Sequence, residues 1–311
     1  MKIFNSAETI SGLPYKELIE AIKQMFIEEY TIPLRHIHTL DSRDSDASLL
    51  IMPAWQTDYL GIKHVLIYPN NAQRHQKQGL YSTYNLYDND SGEPLAIMDG
   101  NVITCRRTAA ASALAADYLA RPDATKLLIV GAGNVASELA YAYAAIRNIQ
   151  EIQVWNPTLE RAEALAQRLV SDGFEASAVT DLEQAVKNNH IISCATLSTE
   201  PLILHSWIQP GTHIDLIGSF RPNMRESDSE LFADSSVFID TSEALIKSGD
   251  LLEAIKDGKL NENDILADLS DLCNQRHPGR KNQKEITVFK AVGSAGEDLA
   301  AAILVYEKGI K

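Results

Sequence analysis

The sequence predicts an α/β protein whose central region folds as a doubly wound parallel sheet. Short apolar runs alternate with amphipathic helical segments over residues 124–240, which is the pattern of successive βαβ units. A glycine-rich turn, residues 131–136, joins the first strand of this region to its first helix. Earlier in the chain, strand-like segments separated by turn residues indicate antiparallel hairpins, so a second, α+β region is also predicted.

The first region, residues 1–122, is predicted to contain two helices and a set of strands. Residues 14–30 place Leu18, Ile22 and Phe26 on one helical face. The predicted strands are residues 48–52, 59–68, 81–87 and 95–98. An alanine-rich helix is predicted over residues 106–119, and Pro122 marks its end because proline disfavours helical backbone in the residue before it.

The central region is predicted to alternate strands and helices in the order expected of a parallel sheet. Its predicted strands are residues 126–130, 151–155, 174–179, 190–194, 213–217 and 237–240. Its predicted helices are residues 135–146 and 159–170. A last apolar helix is predicted over residues 299–307, beyond the turn at Pro278 and Gly279.

Composition and charge exclude several classes of function. The 311 residues carry a formal net charge of -14, which repels phosphate backbones, so no nucleic-acid partner is expected. No long apolar run indicates a signal peptide or a membrane span. The three cysteines are far apart, which is typical of reduced thiols in the cytoplasm. The histidines show no ligand spacing, so no metal site is expected.

The turn Gly131-Ala132-Gly133-Asn134-Val135-Ala136 has the GxGxxA pattern of a dinucleotide-binding Rossmann domain. The first glycine allows the tight turn, the second lets the backbone approach a pyrophosphate, and the third position must be small. The N-terminus of the following helix then offers N–H groups to the phosphates. A side chain at Gly131 is expected to abolish cofactor binding while leaving the chain able to fold.

The end of the second strand distinguishes NAD from NADP, because an acid there repels a 2′-phosphate. This chain has Asn156 at that position, followed by Thr158 and Arg161. Amide, hydroxyl and guanidinium groups can all donate hydrogen bonds to a phosphate. We therefore predict that NADPH is preferred and that NADH is possible, with the alternative that Arg161 is only a solvated helix residue.

Motifs along nearly the whole chain resemble those of the ornithine cyclodeaminase/mu-crystallin family. They are Met52-Pro53, Gly61-Ile62-Lys63, Gln78-Gly79-Leu80, Met98-Asp99-Gly100, residues 104–110, the glycine turn, Gly218 with Arg221-Pro222 and Arg225-Glu226, and residues 289–293 with Glu297-Asp298. The resemblance implies that residues 1–122 and 290–311 form one substrate-binding and dimerisation domain. Residues 123–289 would be the inserted Rossmann domain, the active site would lie between the domains, and the protein would be a homodimer.

The resemblance also implies roles for individual residues. Lys63 matches the catalytic, substrate-binding lysine of the family, and Arg107 matches its substrate-carboxylate arginine. Arg35 falls near a second carboxylate arginine, with Arg43 and Arg74 as alternatives, and Ser82 occupies a position that contacts cofactor or substrate. The residues expected to bind cofactor are Thr108, Gly131, Gly133, Asn134, Val135, Asn156, Thr158, Arg161, Thr196, Gly218, Val292 and Gly293.

Phe220 indicates which of the family's activities the resemblance implies for this chain. Cyclodeaminases and related alanine dehydrogenases carry an aspartate at this position, and a phenyl ring can neither accept a proton nor pair with an ammonium group. The stretch around Phe220 resembles the ketimine reductase branch, which reduces Δ1-pyrroline-2-carboxylate or Δ1-piperideine-2-carboxylate. The alternatives are an ornithine cyclodeaminase, an amino-acid dehydrogenase or N-alkylating synthase, and a non-catalytic cofactor-binding protein.

Overall fold

The computed structural model describes residues 1–42 and 47–310 and divides the chain into two compact units. Unit 1 comprises Met1–Thr108 and Ser294–Lys311, and unit 2 comprises Ala109–Gly293. The predicted α/β class, with a central domain inserted into a second one, is therefore confirmed. The predicted boundaries are 122/123 and 289/290, whereas the structural division falls at 108/109, within a continuous helix, and at 293/294.

Unit 1 contains a six-stranded mixed sheet. Its elements up to the first division are β1 (Lys2–Phe4), α1 (Ser6–Ser11), α2 (Tyr15–Ile27), β2 (His36–Thr39), β3 (Ser48–Trp55), β4 (Tyr59–Ile67), α3 (Asn71–His75), β5 (Leu80–Asp88), β6 (Pro94–Asp99) and α4 (Gly100–Leu119). The strand order is β1-β6-β5-β4-β3-β2. β1 pairs with β6 in parallel, and the other pairs are antiparallel, as the predicted hairpins require.

Helix α4 begins at Gly100, six residues before the start that the sequence analysis predicted. The Asp99 carboxylate accepts hydrogen bonds from the backbone N–H groups of Asn101 and Val102, at 2.9 and 3.1 Å. A side chain that satisfies these N-terminal groups favours a helix start at this point. The prediction was wrong because β-branched residues in the first turn obscured the helical pattern.

Unit 2 contains an eight-stranded parallel sheet. Its elements are β7 (Lys126–Val130), α5 (Ala136–Ile146), β8 (Glu151–Trp155), α6 (Leu159–Ser171), β9 (Ala176–Ala178), α7 (Leu182–Asn188), β10 (Ile191–Cys194), β11 (His213–Leu216), α8 (Glu230–Ala233), β12 (Ser236–Ile239), α9 (Ala244–Lys247), α10 (Gly249–Lys256), β13 (Ile265–Asp268), α11 (Leu269–Cys273) and β14 (Thr287–Lys290). The strand order is β13-β12-β14-β11-β10-β7-β8-β9.

The strand order of this sheet reverses at β7, which has β8 on one side and β10 on the other. In open parallel sheets, ligands bind beyond the carboxyl ends of the strands at such a reversal. The glycine turn, residues 131–136, follows β7 directly. The last strand in sequence, β14, lies between β11 and β12 and was not predicted.

The C-terminal helix, α12 (Ala295–Ile310), belongs to unit 1. It packs against α2 and against strands β3 and β4. Its first turn contains Glu297 and Asp298, two acidic residues in an otherwise largely apolar helix. Within the described residues, no helix combines the length and apolar character needed to span a bilayer.

Candidate functional site

Four buried charged side chains of unit 1 form one connected set, which we call the Lys63–Asp298 network. Lys63 lies on β4, Arg107 on α4, and Glu297 and Asp298 on the first turn of α12. Lys63 Nζ is 2.5 Å from Asp298 Oδ2. Arg107 Nε donates to Asp298 Oδ1 at 2.8 Å, and Arg107 Nη1 donates to Glu297 Oε2 at 2.6 Å. Each of the four residues is at most 5% exposed.

Burial and charge pairing set the protonation of this network. Burial lowers the pKa of Lys63 to about 8, although the Asp298 carboxylate opposes that shift. Burial alone raises the pKa of Asp298, but the charges of Arg107 and Lys63 outweigh it and hold that pKa below its usual value. The Arg107 guanidinium stays charged, because Asp298 and Glu297 outweigh the effect of burial and raise its pKa. Asp298 is therefore ionised, and Lys63 changes charge close to neutral pH.

The other residues of unit 1 that were predicted to bind substrate have different surroundings from one another. Arg35 is half-buried before β2, and its positive charge contributes to lowering the pKa of Lys63. Ser82 Oγ instead donates to Asn101 Oδ1 at 2.7 Å and links β5 to the start of α4. Arg74 lies on α3, and Arg43 lies outside the described residues.

Tyr84 lies beside Lys63 in the sheet, on the neighbouring strand β5. Its side chain is fully buried, and a Cβ atom built on Gly61 would lie 2.0 Å from the Tyr84 hydroxyl. Only a glycine at position 61 therefore leaves room for this ring. Lys63 Nζ also donates to Thr104 Oγ1 at 3.3 Å, so its surroundings come from β4, β5, α4 and α12.

Sequence reasoning found Lys63 and Arg107 but gave no role to Glu297 and Asp298. The signal was present, because two adjacent acids in the first turn of an apolar helix must be paired if that helix is buried. In the sequence, the two acids stand out only as part of a motif that resembles the family's. The partners alter the chemistry of the site, since Arg107 already uses one donor at each end of its guanidinium for these carboxylates.

The glycine turn of unit 2 has the geometry of a dinucleotide site, but its two glycines act differently. Gly131 has φ +114°, and a Cβ there would lie 2.5 Å from the Ala195 carbonyl oxygen. A side chain at Gly131 would therefore clash with the protein's own backbone after β10, so our expectation that the variant folds normally was wrong. By contrast, nothing lies within 4 Å of a Cβ built on Gly133, which leaves open space for a ligand.

Helix α5 follows this turn, with Val135 as its N-cap residue and no side chain of the described residues capping it. Ser137 Oγ donates a hydrogen bond to the Asn134 carbonyl oxygen at 2.8 Å. An uncapped helix N-terminus beside an open glycine fits the pyrophosphate of a dinucleotide, because its N–H groups and its dipole favour an anion.

The residues at the end of β8 form a polar loop. Asn156 Nδ2 donates to the Thr158 carbonyl at 2.9 Å, and Arg161 N donates to the same oxygen at 3.1 Å. Asn156 is half-buried, whereas the side chains of Thr158 and Arg161 are exposed. The amide of Asn156 thus shapes the loop, and its position carries no negative charge against a 2′-phosphate.

Buried acids hold the remaining predicted cofactor residues of unit 2. Glu226 Oε1 accepts hydrogen bonds from Thr196 N and Thr196 Oγ1, and Glu226 Oε2 accepts one from Gly218 N. Asp240 Oδ2 accepts from the N–H groups of Val292 and Gly293, at 2.7 and 2.6 Å. Sequence reasoning missed both acids as organising residues. Thr108, the last residue of unit 1 before α4 enters unit 2, is also buried.

A family model for the ornithine cyclodeaminase/mu-crystallin family matches residues 4–311 of this chain. The chain belongs to this family. Among its members, a Δ1-pyrroline-2-carboxylate reductase of Paracoccus denitrificans is 37% identical over 93% of this chain and 91% of its own length. The family assignment that the sequence motifs indicated is therefore confirmed.

Two solved structures resemble this chain over nearly its full length. A Thermococcus litoralis Δ1-pyrroline-2-carboxylate reductase, in complex with NADH and L-proline, has a TM-score of 0.94 at 33% identity and covers 100% of this chain and 98% of its own. An archaeal alanine dehydrogenase dimer with bound NAD has a TM-score of 0.91 at 27% identity, covering 99% and 95%.

Proposed function

We propose that this protein uses NAD(P)H to reduce a cyclic ketimine, Δ1-pyrroline-2-carboxylate or Δ1-piperideine-2-carboxylate, to L-proline or L-pipecolate. The Lys63–Asp298 network carries this proposal. The Paracoccus and Thermococcus relatives, named as reductases of the five-membered ring, support it. The glycine turn after β7, with its open space at Gly133, supports the nicotinamide dinucleotide as cofactor.

The charge balance of the network matches a zwitterionic substrate. Among the described residues, the network pairs the cations Lys63 and Arg107 with the carboxylates Glu297 and Asp298. A protonated cyclic ketimine carries one carboxylate and one iminium, so it is neutral overall and adds no net charge to a buried site. Arg107 Nη2 and the remaining Lys63 proton are the donors proposed to bind the substrate carboxylate.

The proposed reaction adds a hydride to the imine carbon and leaves a proton on the nitrogen, so that C=N becomes CH–NH. When bound, the reduced nicotinamide supplies the hydride. Arg107 orients the substrate carboxylate, and Arg35 adds positive charge near Lys63. Because the bound ketimine is already protonated, hydride addition leaves a neutral amine. Lys63 Nζ holds a proton that can then pass to this nitrogen and give the ammonium of the product, because its pKa of about 8 is close to neutral pH. Asp298 keeps Lys63 in place and charged.

Phe220 argues against conversion of ornithine to proline. It lies in the loop after β11 and is 41% exposed, and the Arg221 guanidinium lies 6.0 Å from its ring. A phenyl ring cannot relay protons or pair with the second ammonium of ornithine, and leaving that ammonium unpaired on burial costs several kcal/mol. A cyclic substrate with no second amine makes no such demand.

We further propose that NADPH is the preferred cofactor and that NADH is also used. The observation that favours NADPH is the absence of an acid at the end of β8, where Asn156 stands, together with the exposed Arg161 guanidinium close by in sequence. The Thermococcus and archaeal relatives were solved with NADH and NAD, which supports use of the dephosphorylated cofactor as well.

We also propose a homodimer that forms through the sheet of unit 1. Residues paired across β3, β4 and β5 share one face, and the row Leu49, Leu66 and Tyr81 is apolar. Leu66 and Tyr81 are 40% and 44% exposed in the single chain. A second copy covering this face would remove them from water, and the archaeal alanine dehydrogenase is a dimer. Light scattering on the purified protein tests this, and a monomer would contradict it.

We propose a cytoplasmic location, because the three cysteines are few and lie far apart in the sequence, which is typical of proteins from reducing compartments. The activity is tested with purified protein, each cyclic ketimine, and NADPH or NADH, with nicotinamide oxidation and amino-acid product measured together. Ornithine with NAD, with ammonia measured, runs in parallel. Ammonia release without ketimine-dependent oxidation would favour a cyclodeaminase, and cofactor binding without turnover on any substrate would favour a non-catalytic protein.

A further inference from the structure

Glu226 joins two loops at the carboxyl edge of the parallel sheet in unit 2. It follows β11 in the chain, is fully buried, and accepts three hydrogen bonds through its carboxylate. Two come from Thr196 N and Oγ1, at 2.8 and 2.9 Å, and the third comes from Gly218 N at 2.6 Å. Thr196 follows β10 and Gly218 follows β11, so one side chain connects the ends of two neighbouring strands.

These two strand ends lie beside the glycine turn. β10 is the neighbour of β7 at the point where the strand order reverses. A Cβ on Gly131 would meet the Ala195 carbonyl at 2.5 Å, so the turn and the loop after β10 are in contact. The position of Thr196 is therefore tied to the turn that is proposed to bind the pyrophosphate, and Glu226 is the residue that holds Thr196.

The surroundings leave Glu226 little freedom to move. Its N–H donates to Asp250 Oδ1 at 2.8 Å, and its carbonyl accepts from the N–H groups of Leu202 and Ile203. A Cβ on Gly218 would lie 2.3 Å from Glu226 Oε1, so the carboxylate fills the space beside that glycine. The backbone of residue 226 and both carboxylate oxygens are thus fixed by direct contacts.

Three donors converge on this side chain, and only an ionised carboxylate accepts at every lone pair without offering a proton. Glutamine in its place would direct an NH₂ group at one of those donors. The pKa of Glu226 is raised to about 7, mainly by burial. The charge of Lys290 opposes this rise, and the charge of Asp250 adds to it. Besides Lys290 on β14 and Asp250 on α10, the Cys194 thiol on β10 faces this carboxylate.

We propose that Glu226 is a positioning residue of the cofactor site, whose ionised carboxylate fixes the loops after β10 and β11 in the arrangement that binds the dinucleotide. The proposal rests on the proposed function, since it requires that the protein binds a nicotinamide dinucleotide. It adds a role that acts through Thr196 and Gly218, without contact between Glu226 and the cofactor. Its consequence is that affinity for the cofactor weakens as Glu226 takes up a proton.

The test measures NADH affinity directly, by nicotinamide fluorescence, from about pH 6 to about pH 8. NADH is the probe because it lacks the 2′-phosphate, whose own second ionisation falls near pH 6. Wild-type affinity is expected to fall as the pH drops through about 7. Glu226→Gln is expected to bind NADH about tenfold more weakly near pH 8 and to lose the pH dependence. Glu226→Asp is expected to retain part of it.

Glu230→Gln is the matched control, because Glu230 is an exposed acid that pairs only with Lys259 among the contacts of the described chain. Thermal unfolding of each variant checks the fold. If Glu226→Gln does not fold, the wild-type pH profile and Thr196→Val, which removes one donor, still decide the question. If the NADH affinity of the wild type does not change with pH, or if a folded Glu226→Gln variant binds NADH as the wild type does, this role is overturned and the proposed reaction is left intact. A wild-type protein that binds no nicotinamide cofactor overturns both.

Discussion

The two units bury carboxylates in opposite ways. In unit 1, Asp298 faces the cations Lys63 and Arg107, and these charges hold its pKa below the usual value despite burial. In unit 2, Glu226 and Asp240 face mainly backbone N–H groups, and burial raises the pKa of each. The charge of Lys290 opposes this rise, but its Nζ lies 3.5 Å from Oδ2 of a third acid, Asp250.

The difference indicates two uses for a buried acid. A carboxylate paired with full charges stays ionised at any ordinary pH and keeps its cations in place for a substrate. A carboxylate held by dipoles gains less from ionisation, so burial raises its pKa while it holds loops together. The first arrangement suits a site that binds a charged substrate, and the second suits a scaffold around a cofactor.

The largest effect is expected when the paired network of unit 1 is broken. Arg107→Ala removes the guanidinium that pairs with two buried carboxylates and is proposed to bind the substrate. We therefore expect kcat/KM to fall by roughly a hundredfold or more. Arg107→Lys should recover only part, because an ammonium cannot form the planar fork. The exposed Arg276→Ala serves as the control. Steady-state kinetics within twofold of wild type would remove Arg107 from the site.

The next effect tests the scaffold of unit 2 through its two glycines. Gly133→Val places a side chain in open space, so the protein should fold with an unchanged Tm but bind NADH and NADPH at least about tenfold more weakly. Gly131→Ala should instead lower the Tm, because φ is +114° and the Ala195 carbonyl is 2.5 Å from the new Cβ. Fluorescence titration measures the affinity and thermal unfolding measures the Tm. Unchanged cofactor affinity in Gly133→Val would place the cofactor elsewhere.

Asp298→Asn separates charge from shape within the network. Activity of the wild type should fall as the pH rises through about 8, because Lys63 loses its proton there. Without the Asp298 charge, burial and the charges of Arg107 and Arg35 all lower the pKa of Lys63. This limb should therefore move to lower pH, and kcat/KM near pH 8 should drop about tenfold. If kcat/KM of the variant falls at the same pH as that of the wild type, a group other than Lys63 titrates there.

The same shift has a stability consequence of determined sign. The folded-state pKa of Lys63 is about 8, below its ordinary value of 10.5, so the unfolded chain binds more protons between these values. The contribution of Lys63 to stability is therefore lost below that window and recovered as the pH rises through it. Unfolding measured across this range, with Lys63→Met as the control, would detect it.

The smallest effect concerns cofactor choice. Asn156→Asp adds a negative charge at the end of β8, so the ratio of kcat/KM with NADPH to that with NADH should fall by about tenfold. Arg161→Ala should lower the same ratio by a smaller factor if its guanidinium binds the 2′-phosphate. A wild-type ratio that favours NADH would contradict the preference itself.

The sequence predicted those parts of the fold that local pattern determines. Strands β7 and β8 were placed at their observed bounds, because β7 is mainly apolar, β8 alternates polar and apolar residues, and turn residues follow both. β14 was missed, since four residues carry no period and only its neighbours β11 and β12 define it as a central strand. The 108/109 division lies inside α4, and a continuous helix contains no turn residue at which a boundary could be predicted.

The candidate site divides in the same way. Lys63, Arg107 and the glycine turn belong to short motifs and were identified from them. Their partners were not, because Asp298 and Glu226 act through contacts between residues far apart in the chain, which a local pattern does not encode. Which acid faces a cation and which faces backbone dipoles depends on the packing, so the opposite pKa shifts were also beyond sequence reasoning.

The packing of Tyr84 over Gly61 has a consequence for the history of the family. Any side chain at position 61 would collide with the Tyr84 hydroxyl, and Tyr84 is the cross-strand neighbour of Lys63. Positions 61 and 84 should therefore change together during evolution: descendants that acquire a larger residue at 61 must first exchange the tyrosine for something shorter. Because that exchange also alters the wall beside Lys63, divergence at this pair should accompany a change of substrate.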